Sequence, residues 1–463
     1  MNWTISRRTM LGGAAAAMAM PALALGKARR RPNVLFIMAD DLGYADLSCY
    51  GRRDYATPEL DRLAAQGMRF TAAYANSAVC SATRTALITG RYQYRLPIGL
   101  EEPLAFRDVG LPPEHPTLPS LLQGAGYATS LIGKWHLGVA PRFGPQQSGY
   151  DYFFGIEGGG ADYFTHRAGK KPDLWEGPNP VSEQGYLTDM LAQRAIRRLR
   201  SHAGKDQPFF MSLHFTAPHW PWEGPDDQAE SARLAASANP AAIFHYDGGT
   251  LATYAAMMRR LDFQVGQVLD ALRRLRLDND TIVIFTSDNG GERFSDTWPF
   301  SGRKTELLEG GIRVPLIVRW PGRIRAGSES AEQVMSMDWL PTLLQLAGTA
   351  PAPASPPDGI DIWPALQGAA LSQRALYWRY RNHEQAAIRL GDHKYLKING
   401  NEFLFDVVAD PLERGNLKDR NPALFADLKA RWAEWNAGML PFDPQSYTHG
   451  FTGVEAADRF GVR

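Results

Sequence analysis

The chain has little cysteine, no excess of charge of either sign and no repeated segments. Its 463 residues include only two cysteines, Cys49 and Cys80, so a disulfide-rich scaffold is excluded. The 50 basic residues nearly balance the 49 acidic ones, which argues against nucleic acid or a membrane surface as a partner. Without internal repeats the chain is not a solenoid, and 44% hydrophobic residues suffice for a large core.

The first 27 residues have the pattern of an export signal. A twin-arginine motif at residues 6–11 precedes a Gly/Ala/Met-rich run at 12–25, and residues 22–24 offer a small-x-small cleavage site. The alternative is a membrane anchor, but the run is short and weakly apolar for a bilayer span. We expect the twin-arginine export machinery as a partner and a bacterial periplasmic or secreted location. Removing this segment with its three basic residues changes the formal net charge from +1 to −2.

The rest of the chain alternates apolar runs with helical patterns, which predicts an α/β fold. Four runs resemble buried parallel strands, and one long amphipathic helix is expected around residues 254–272. A second helix is predicted from Pro58 to Gln66, with Thr57 as N-cap and Gly67 as C-cap. The four predicted strands are Asn33–Met38, Tyr127–Ile132, Phe209–Phe215 and Thr281–Thr286.

Polar side chains follow each of these strands. Because ligands in open α/β sheets bind beyond the carboxyl ends of the strands, these residues are predicted to share one cleft. They are Asp40, Asp41, Lys134, His136, His219, Asp288 and Asn289.

The pattern changes after a Pro/Ala-rich stretch at residues 349–358. Short antiparallel strands are predicted at 375–381, 386–398 and 402–408, followed by a helix at 422–435. We therefore predict a catalytic domain at 32–365 and a small C-terminal α+β subdomain at 366–463, which acts as a structural cover and can contribute some substrate contacts.

Cys80 is predicted to begin an amphipathic helix, with Arg84 one turn further on the same face. The free N–H groups of a helix start and an arginine fork together suit a tetrahedral oxyanion such as sulfate or phosphate. Other interpretations of Cys80 are a buried apolar side chain or a disulfide with Cys49. A tyrosine-phosphatase loop is set aside, because it needs five residues between cysteine and arginine and this chain has three.

Asp40, Asp41, Asp288 and Asn289 are candidate metal ligands. Three carboxylates and an amide oxygen are hard ligands that suit Ca²⁺ or Mg²⁺ better than Zn²⁺. Adjacent aspartates also repel each other in the absence of a cation. Taken alone, each pair is equally typical of a helix cap or a turn.

Several segments together resemble the sulfatase family. The run from Cys80 to Arg91 matches the family signature Cys-x-(Pro or Ala)-x-Arg with its following Thr-Gly-Arg, although Ala82 stands where most members have proline. Residues 38–44, 133–138 and 286–291 also match family motifs, and the resemblance covers about residues 32–420. A further departure is that Glu157 and three glycines follow Ile156, where some members have serine or asparagine.

The resemblance implies an alkaline phosphatase-like fold: a large, mixed, mostly parallel sheet flanked by helices, with a small C-terminal antiparallel sheet. It implies that a formylglycine-generating enzyme oxidises Cys80 to formylglycine, whose hydrated aldehyde attacks the sulfur of a sulfate monoester. The implied cation, usually calcium, is held by Asp40, Asp41, Cys80, Asp288 and Asn289.

The family assigns roles to further residues. Arg84 and Lys134 bind the sulfate, His136 contacts the formylglycine hydroxyls, and His219 and Lys304 contact the leaving group. Glu309 and Arg313 are expected to form a structural ion pair.

The resemblance does not distinguish aryl from carbohydrate sulfates, and the oligomeric state is not indicated. Trp220, Trp222 and Trp298 are candidates for stacking on either kind of leaving group. Two other functions stay open at this point. One is a phosphodiesterase or phosphonate monoester hydrolase on the same scaffold, and the other is an unmodified, inactive chain that binds sulfated glycans.

Overall fold

The computed structural model describes residues 31–100 and 108–442. The export signal predicted at 1–27 lies outside the described residues. The strands, numbered in chain order, are β1 Asn33–Ala39, β2 Met68–Phe70, β3 Ala73–Tyr74, β4 Ala128–Gly133, β5 Tyr152–Gly155, β6 Arg167–Ala168, β7 Lys171–Pro172, β8 Trp175–Glu176, β9 Asn179–Pro180, β10 Phe209–His214, β11 Thr281–Ser287, β12 Leu316–Arg319, β13 Ser328–Ser330, β14 Val334–Met335, β15 Ala375–Tyr380, β16 Gln385–Leu390, β17 His393–Ile398 and β18 Asn401–Asp406.

The α-helices are α1 Pro58–Ala65, α2 Cys80–Thr89, α3 Leu118–Gly124, α4 Leu187–His202, α5 Gln228–Ala236, α6 Leu251–Arg274, α7 Glu309–Ile312, α8 Trp339–Ala347, α9 Trp363–Leu366 and α10 Pro422–Ala437. Short 3₁₀ turns occur at Ser48–Tyr50, Gln93–Arg95, Pro97–Leu100, Pro145–Ser148, Pro240–Phe244, Asp278–Asp280, Ser336–Asp338 and Asn382–Glu384. Within the described ranges, no helix is both long and apolar enough to cross a membrane.

A ten-stranded mixed sheet organises the larger part of the molecule. Its order is β13-β2-β12-β11-β1-β10-β4-β5-β8-β9, and the central strands β11, β1, β10, β4 and β5 are mutually parallel. The predicted α/β class and mostly parallel sheet are confirmed. The four predicted strands are confirmed as β1, β4, β10 and β11, with ends within one residue of the predicted ones.

Helices cover both faces of this sheet. Because side chains alternate along a strand, Leu35 and Ile37 of β1 pack in the core under α1, α4 and α6, whereas Val34 and Phe36 pack in the core under α3, α8 and α9. The predicted amphipathic helix at 254–272 is confirmed inside α6.

The prediction for α1 was right in position and wrong in its capping. Thr57 precedes the helix but its side chain makes no capping hydrogen bond, because its Oγ1 accepts from Ser48 N at 2.9 Å. The helix ends at Ala65, with Gln66 rather than Gly67 as its cap.

A separate four-stranded antiparallel sheet, β15-β16-β17-β18, follows and is covered by α10. The prediction of one strand at 386–398 was wrong. Gly391, with φ of 59°, turns the chain between β16 and β17, a conformation that glycine adopts without a steric cost. The predicted domain boundary at 365/366 precedes this sheet and remains a prediction.

Candidate active site

The register of the large sheet brings the polar strand ends together. Met38 of β1 lies opposite Thr286 of β11 and His214 of β10, and His214 lies opposite Gly133 of β4. The residues that follow these four strands therefore start at one edge of the sheet. A direct hydrogen bond joins the ends of β4 and β10: Lys134 N donates to His214 O at 2.9 Å.

Helix α2 begins at Cys80, as predicted, directly after the extended residue Val79, whose side chain makes no capping bond. The predicted amphipathic character was wrong, because all ten residues of α2 are buried. Leu87 and Ile88 pack in the core under α8, while Ala82 and Ala86 pack against the C-terminal sheet. Both faces of α2 are thus covered by other elements.

Arg84 is bound between two strand ends. Its Nε and Nη2 donate to Asp288 Oδ2 at 3.0 and 2.8 Å, and its Nη1 donates to Lys134 O at 3.1 Å. Nη1 also lies 3.3 Å from His214 Nδ1. Two donors on the same carboxylate oxygen restrict the orientation of the guanidinium.

Two lysines pair with the adjacent aspartates of β1. Lys134 Nζ donates to Asp40 Oδ2 at 2.6 Å, and Lys304 Nζ donates to Asp41 Oδ2 at 2.7 Å. Asn289 Nδ2 donates to Asp41 Oδ1 at 2.8 Å, which leaves the amide oxygen of Asn289 as an acceptor. All of these side chains are buried.

Burial and the carboxylate of Asp288 raise the pKa of Asp40 well above its usual range. Burial alone would lower the pKa of Lys134, but Asp40 outweighs it and the pKa is raised. Asp41 has the same effect on Lys304. Both lysines are therefore positively charged at neutral pH, which suits an anionic ligand.

The two predicted histidines approach this group from different loops. His136 Nδ1 lies 3.3 Å from Cys80 Sγ, and burial together with Lys134 and Arg84 holds its pKa well below the usual value. His219 Nδ1 lies 2.7 Å from Trp220 O, and because a carbonyl only accepts, this nitrogen carries the proton. The other nitrogen, Nε2, then lies 3.5 Å from Asp41 Oδ2.

Glycines allow both imidazoles to lie against the backbone of the segment after β5. A Cβ at Gly159 would lie 2.7 Å from His136 Cε1, and one at Gly160 would lie 3.0 Å from His219 Cε1. Gly159 and Gly160, two of the three glycines that depart from the family pattern, thus leave room for these two rings.

The donor set fits a hard divalent cation. Ligand atoms of Asp40, Cys80 and Asp288 lie within 4.8 Å of one another, as do those of Asp40, Asp41 and His219. Asp40 Oδ1 and Asn289 Oδ1 are buried and accept no hydrogen bond from any described residue. Uncompensated buried oxygens are costly, and a cation would satisfy both.

Sequence reasoning missed two residues at this site. His214 ends β10 and holds Arg84, and burial plus Arg84 lower its pKa to about 3, so it is neutral. Its place at a strand end was the available signal. Glu292 Oε2 lies 3.5 Å from Lys304 Nζ, and no local motif indicated it. The three tryptophans predicted as stacking candidates differ in exposure. Trp222 is buried, Trp220 is half-buried beside His219, and Trp298 is exposed.

Cys49 and Cys80 are not joined in a disulfide. Glu309 and Arg313 do form the predicted ion pair, at 3.2 Å.

A family model described as Sulfatase matches residues 32–349. The chain belongs to the sulfatase family. A second family model, described as N-sulphoglucosamine sulphohydrolase, C-terminal, matches residues 303–436 of this sulfatase. The resemblance read from the motifs is confirmed.

Known relatives agree. The sulfatase is 33% identical over 390 residues to N-acetylgalactosamine-6-sulfatase of Canis lupus familiaris, covering 78% of this chain and 71% of the relative. It is 32% identical over 448 residues to arylsulfatase A of Homo sapiens, covering 88% of this chain and 83% of that relative. The crystal structure of Ps i-CgsB in complex with k-i-k-neocarrahexaose matches with a TM-score of 0.82 at 30% identity, covering 92% of this chain and 96% of that one. The chain is therefore a sulfuric ester hydrolase.

Proposed function

We propose that this sulfatase hydrolyses sulfate monoesters of carbohydrates, using formylglycine derived from Cys80 and a bound divalent cation. The observation that carries the proposal is the position of Cys80. It begins a buried helix, lies against His136 Nδ1, and shares one group of ligand atoms with Asp40 and Asp288.

When present, formylglycine supplies a hydrated aldehyde, a nucleophile whose second hydroxyl later allows sulfate to be expelled. The surrounding residues can bind and orient the ester. Arg84, Lys134 and Lys304 are buried cations around the position of the sulfate, where low dielectric strengthens their attraction for its oxygens. Neutral His136 is placed to accept a proton at residue 80 through Nδ1.

The leaving group faces His219 and Lys304 in this assignment. Trp220 O holds the Nδ1 proton of His219, so Nε2 is the nitrogen that exchanges protons on the leaving-group side, and it donates to the departing oxygen when the imidazole is doubly protonated. The ammonium of Lys304 stands ready to stabilise the negative charge that develops there.

Asp40, Asp41, Asp288 and Asn289 would hold the cation, with residue 80 as a further ligand. The oxygen-rich set favours Ca²⁺, with Mg²⁺ as the second choice. The ion would act as a Lewis acid on a sulfate oxygen.

A carbohydrate is the favoured leaving group because relatives are named as sugar sulfatases, and Trp220 offers a surface on which a sugar can lie. The Trp220 ring lies 4.1 Å from the His219 ring and 4.8 Å from Phe244, and it is only half-buried. Such a ring can stack on the apolar face of a sugar. A related structure with a bound oligosaccharide supports the same choice. The half-buried Trp220 would also accept an aryl ring, so the substrate test includes both.

We also propose maturation by a formylglycine-generating enzyme and export through the twin-arginine machinery to the periplasm or beyond. The Cys80–Arg84 signature supports the first, and the motif at residues 6–11 supports the second.

The test combines mass spectrometry with a substrate panel. Chain purified from a host with maturation machinery should carry an aldehyde at position 80 and release sulfate from sulfated mono- or oligosaccharides. Cys80→Ala is the matched inactive control. Faster turnover of sulfated phenols would replace the sugar assignment with an aryl one. Preference for phosphonate monoesters, or an intact thiol with sulfated-glycan binding but no turnover, would replace the proposal with one of its two rivals.

A further inference from the structure

The segment that carries Lys304 is bound by other parts of the chain on three sides. Lys304 N donates to Gly291 O at 3.0 Å, and Thr305 N donates to Ala78 O at 2.8 Å. Thr305 has φ of 69°, a left-handed conformation that non-glycine residues adopt only where surrounding contacts hold them. The position of the Lys304 ammonium thus depends on contacts outside its own segment.

The third side belongs to the small C-terminal sheet. Gln385, the first residue of β16, is buried, and its side-chain amide bridges the segment. Its Nε2 donates to Thr305 O at 2.8 Å and its Oε1 accepts from Leu307 N at 2.8 Å. Nε2 also donates to Asn382 O at 3.0 Å, which orients the amide within the C-terminal sheet.

Further contacts extend this attachment along the chain. Glu309 N donates to Glu413 Oε2 at 2.6 Å, and Lys394 Nζ lies 3.0 Å from Glu309 Oε1 and 2.9 Å from Glu413 Oε1. Ser301 Oγ donates to Leu412 O at 2.7 Å. The segment from 301 to 309 is therefore bonded to the C-terminal part of the chain before, at and after Thr305.

We propose that Gln385 is a positioning residue for the reaction, which holds the Lys304 ammonium at the leaving-group side of the site. The C-terminal sheet then helps to position a residue of the active site and is more than a structural cover. This inference rests on the role of Lys304 under the proposed function.

A double-mutant cycle tests the coupling. Lys304→Ala should lower kcat/KM by about 100-fold or more for the fastest substrate of the panel. Gln385→Ala should lower it by about 10- to 100-fold through misplacement of Lys304. The double variant should be no slower than Lys304→Ala alone, because Gln385 has nothing left to position. Losses that multiply in the double variant would overturn the inference.

A second readout does not depend on activity. Hydrogen exchange of the peptide spanning 304–309 should accelerate in Gln385→Ala, because the amide of Leu307 loses its acceptor. Asn416→Ala is the control: this exposed residue lies between β18 and α10, and its Oδ1 accepts from Leu404 N of β18 at 3.1 Å. It should change neither exchange at 304–309 nor kcat/KM. Unchanged exchange in Gln385→Ala would overturn the inference even if the enzyme is inactive, whereas full activity of Lys304→Ala would count against the proposed role of Lys304.

Discussion

Two clusters of buried charges differ in how completely their oxygens are satisfied. The strand-end cluster consists of Asp40, Asp41, Arg84, Lys134, Asp288 and Lys304. The interface cluster joins β3 and α7 to the C-terminal sheet and consists of Tyr74, Glu309, Arg313, Arg389, Lys394 and Glu413.

Both carboxylate oxygens of Glu309 accept hydrogen bonds in the interface cluster, and Glu413 Oε1, which accepts none in the described part of the chain, has the Lys394 ammonium at 2.9 Å. Glu309 Oε1 pairs with Lys394 at 3.0 Å, and Glu309 Oε2 accepts from the Tyr74 hydroxyl at 2.6 Å. In the strand-end cluster, Asp40 Oδ1 accepts no hydrogen bond in the described part of the chain, and Arg84 Nη2 lies 3.7 Å from it. A cluster whose charges are satisfied internally stabilises the fold, whereas one with open oxygens suits a ligand.

The largest expected effect comes from removing the partner of Arg84. Asp288→Ala leaves a buried guanidinium without the carboxylate that accepts from two of its nitrogens, so we expect about 3–5 kcal/mol less stability and no detectable turnover. Urea unfolding and sulfate release measure the two effects. Wild-type turnover in a folded variant would remove Asp288 from the site.

The next prediction concerns binding of a cation by the strand-end cluster. Elemental analysis should find about one Ca²⁺ or Mg²⁺ per chain, and added Ca²⁺ should raise the melting temperature of chelator-treated protein. Asp40→Asn should weaken that response, since it removes one negative charge from the donor set. Zinc bound stoichiometrically and required for activity would contradict the oxygen-ligand assignment.

The interface cluster should respond in the opposite way. Lys394→Met leaves two buried glutamates without their shared cation, which should cost about 3 kcal/mol of stability. Calcium affinity, measured by titration calorimetry, should remain that of the wild type. A change in calcium affinity as large as that of Asp40→Asn would show that the two clusters are not independent.

The smallest expected effect is a pH dependence of the free energy of unfolding that comes from Glu413. Burial raises its pKa from the ordinary 4.5 to about 7, with Lys394 opposing and Glu309 adding to the rise. The folded chain then keeps a proton that the unfolded chain releases. Its contribution to stability is complete below pH 4.5 and is lost as the pH rises to about 7.

Glu413→Gln cannot release this proton. Relative to the variant, the wild type should lose about 1–3 kcal/mol of stability across that window, measured by urea unfolding at pH 4.5 and pH 8. Parallel stability curves for the two proteins would contradict the raised pKa.

Much of the site was predictable because parallel strands place their carboxyl ends together. Asp40, Lys134 and Asp288 each follow an apolar run closely, so the runs alone predicted that these side chains meet. The start of α2 at Cys80 was equally predictable. The burial of both faces of α2 was not predictable, because the elements that cover them, α8 and the C-terminal sheet, lie far away in the chain.

Two other predictions were wrong because the local sequence pattern is compatible with two structures. The segment 386–398 has strand-forming residues on both sides of Gly391, and the φ of 59° that makes it a hairpin appears only in the folded chain. Thr57 was predicted to cap α1, but its hydroxyl oxygen instead accepts a hydrogen bond from Ser48 N.

The sequence by itself determined the fold class, the family and the residues that gather at the strand ends, because short motifs and apolar periodicity encode them locally. Only the tertiary structure decided which charges pair and what holds Lys304. Gln385 and Leu307 are 78 residues apart, and Lys394 and Glu309 are 85 apart. Such contacts depend on how the C-terminal sheet packs against the segment that carries Leu307 and Glu309, and no local pattern of residues records that packing.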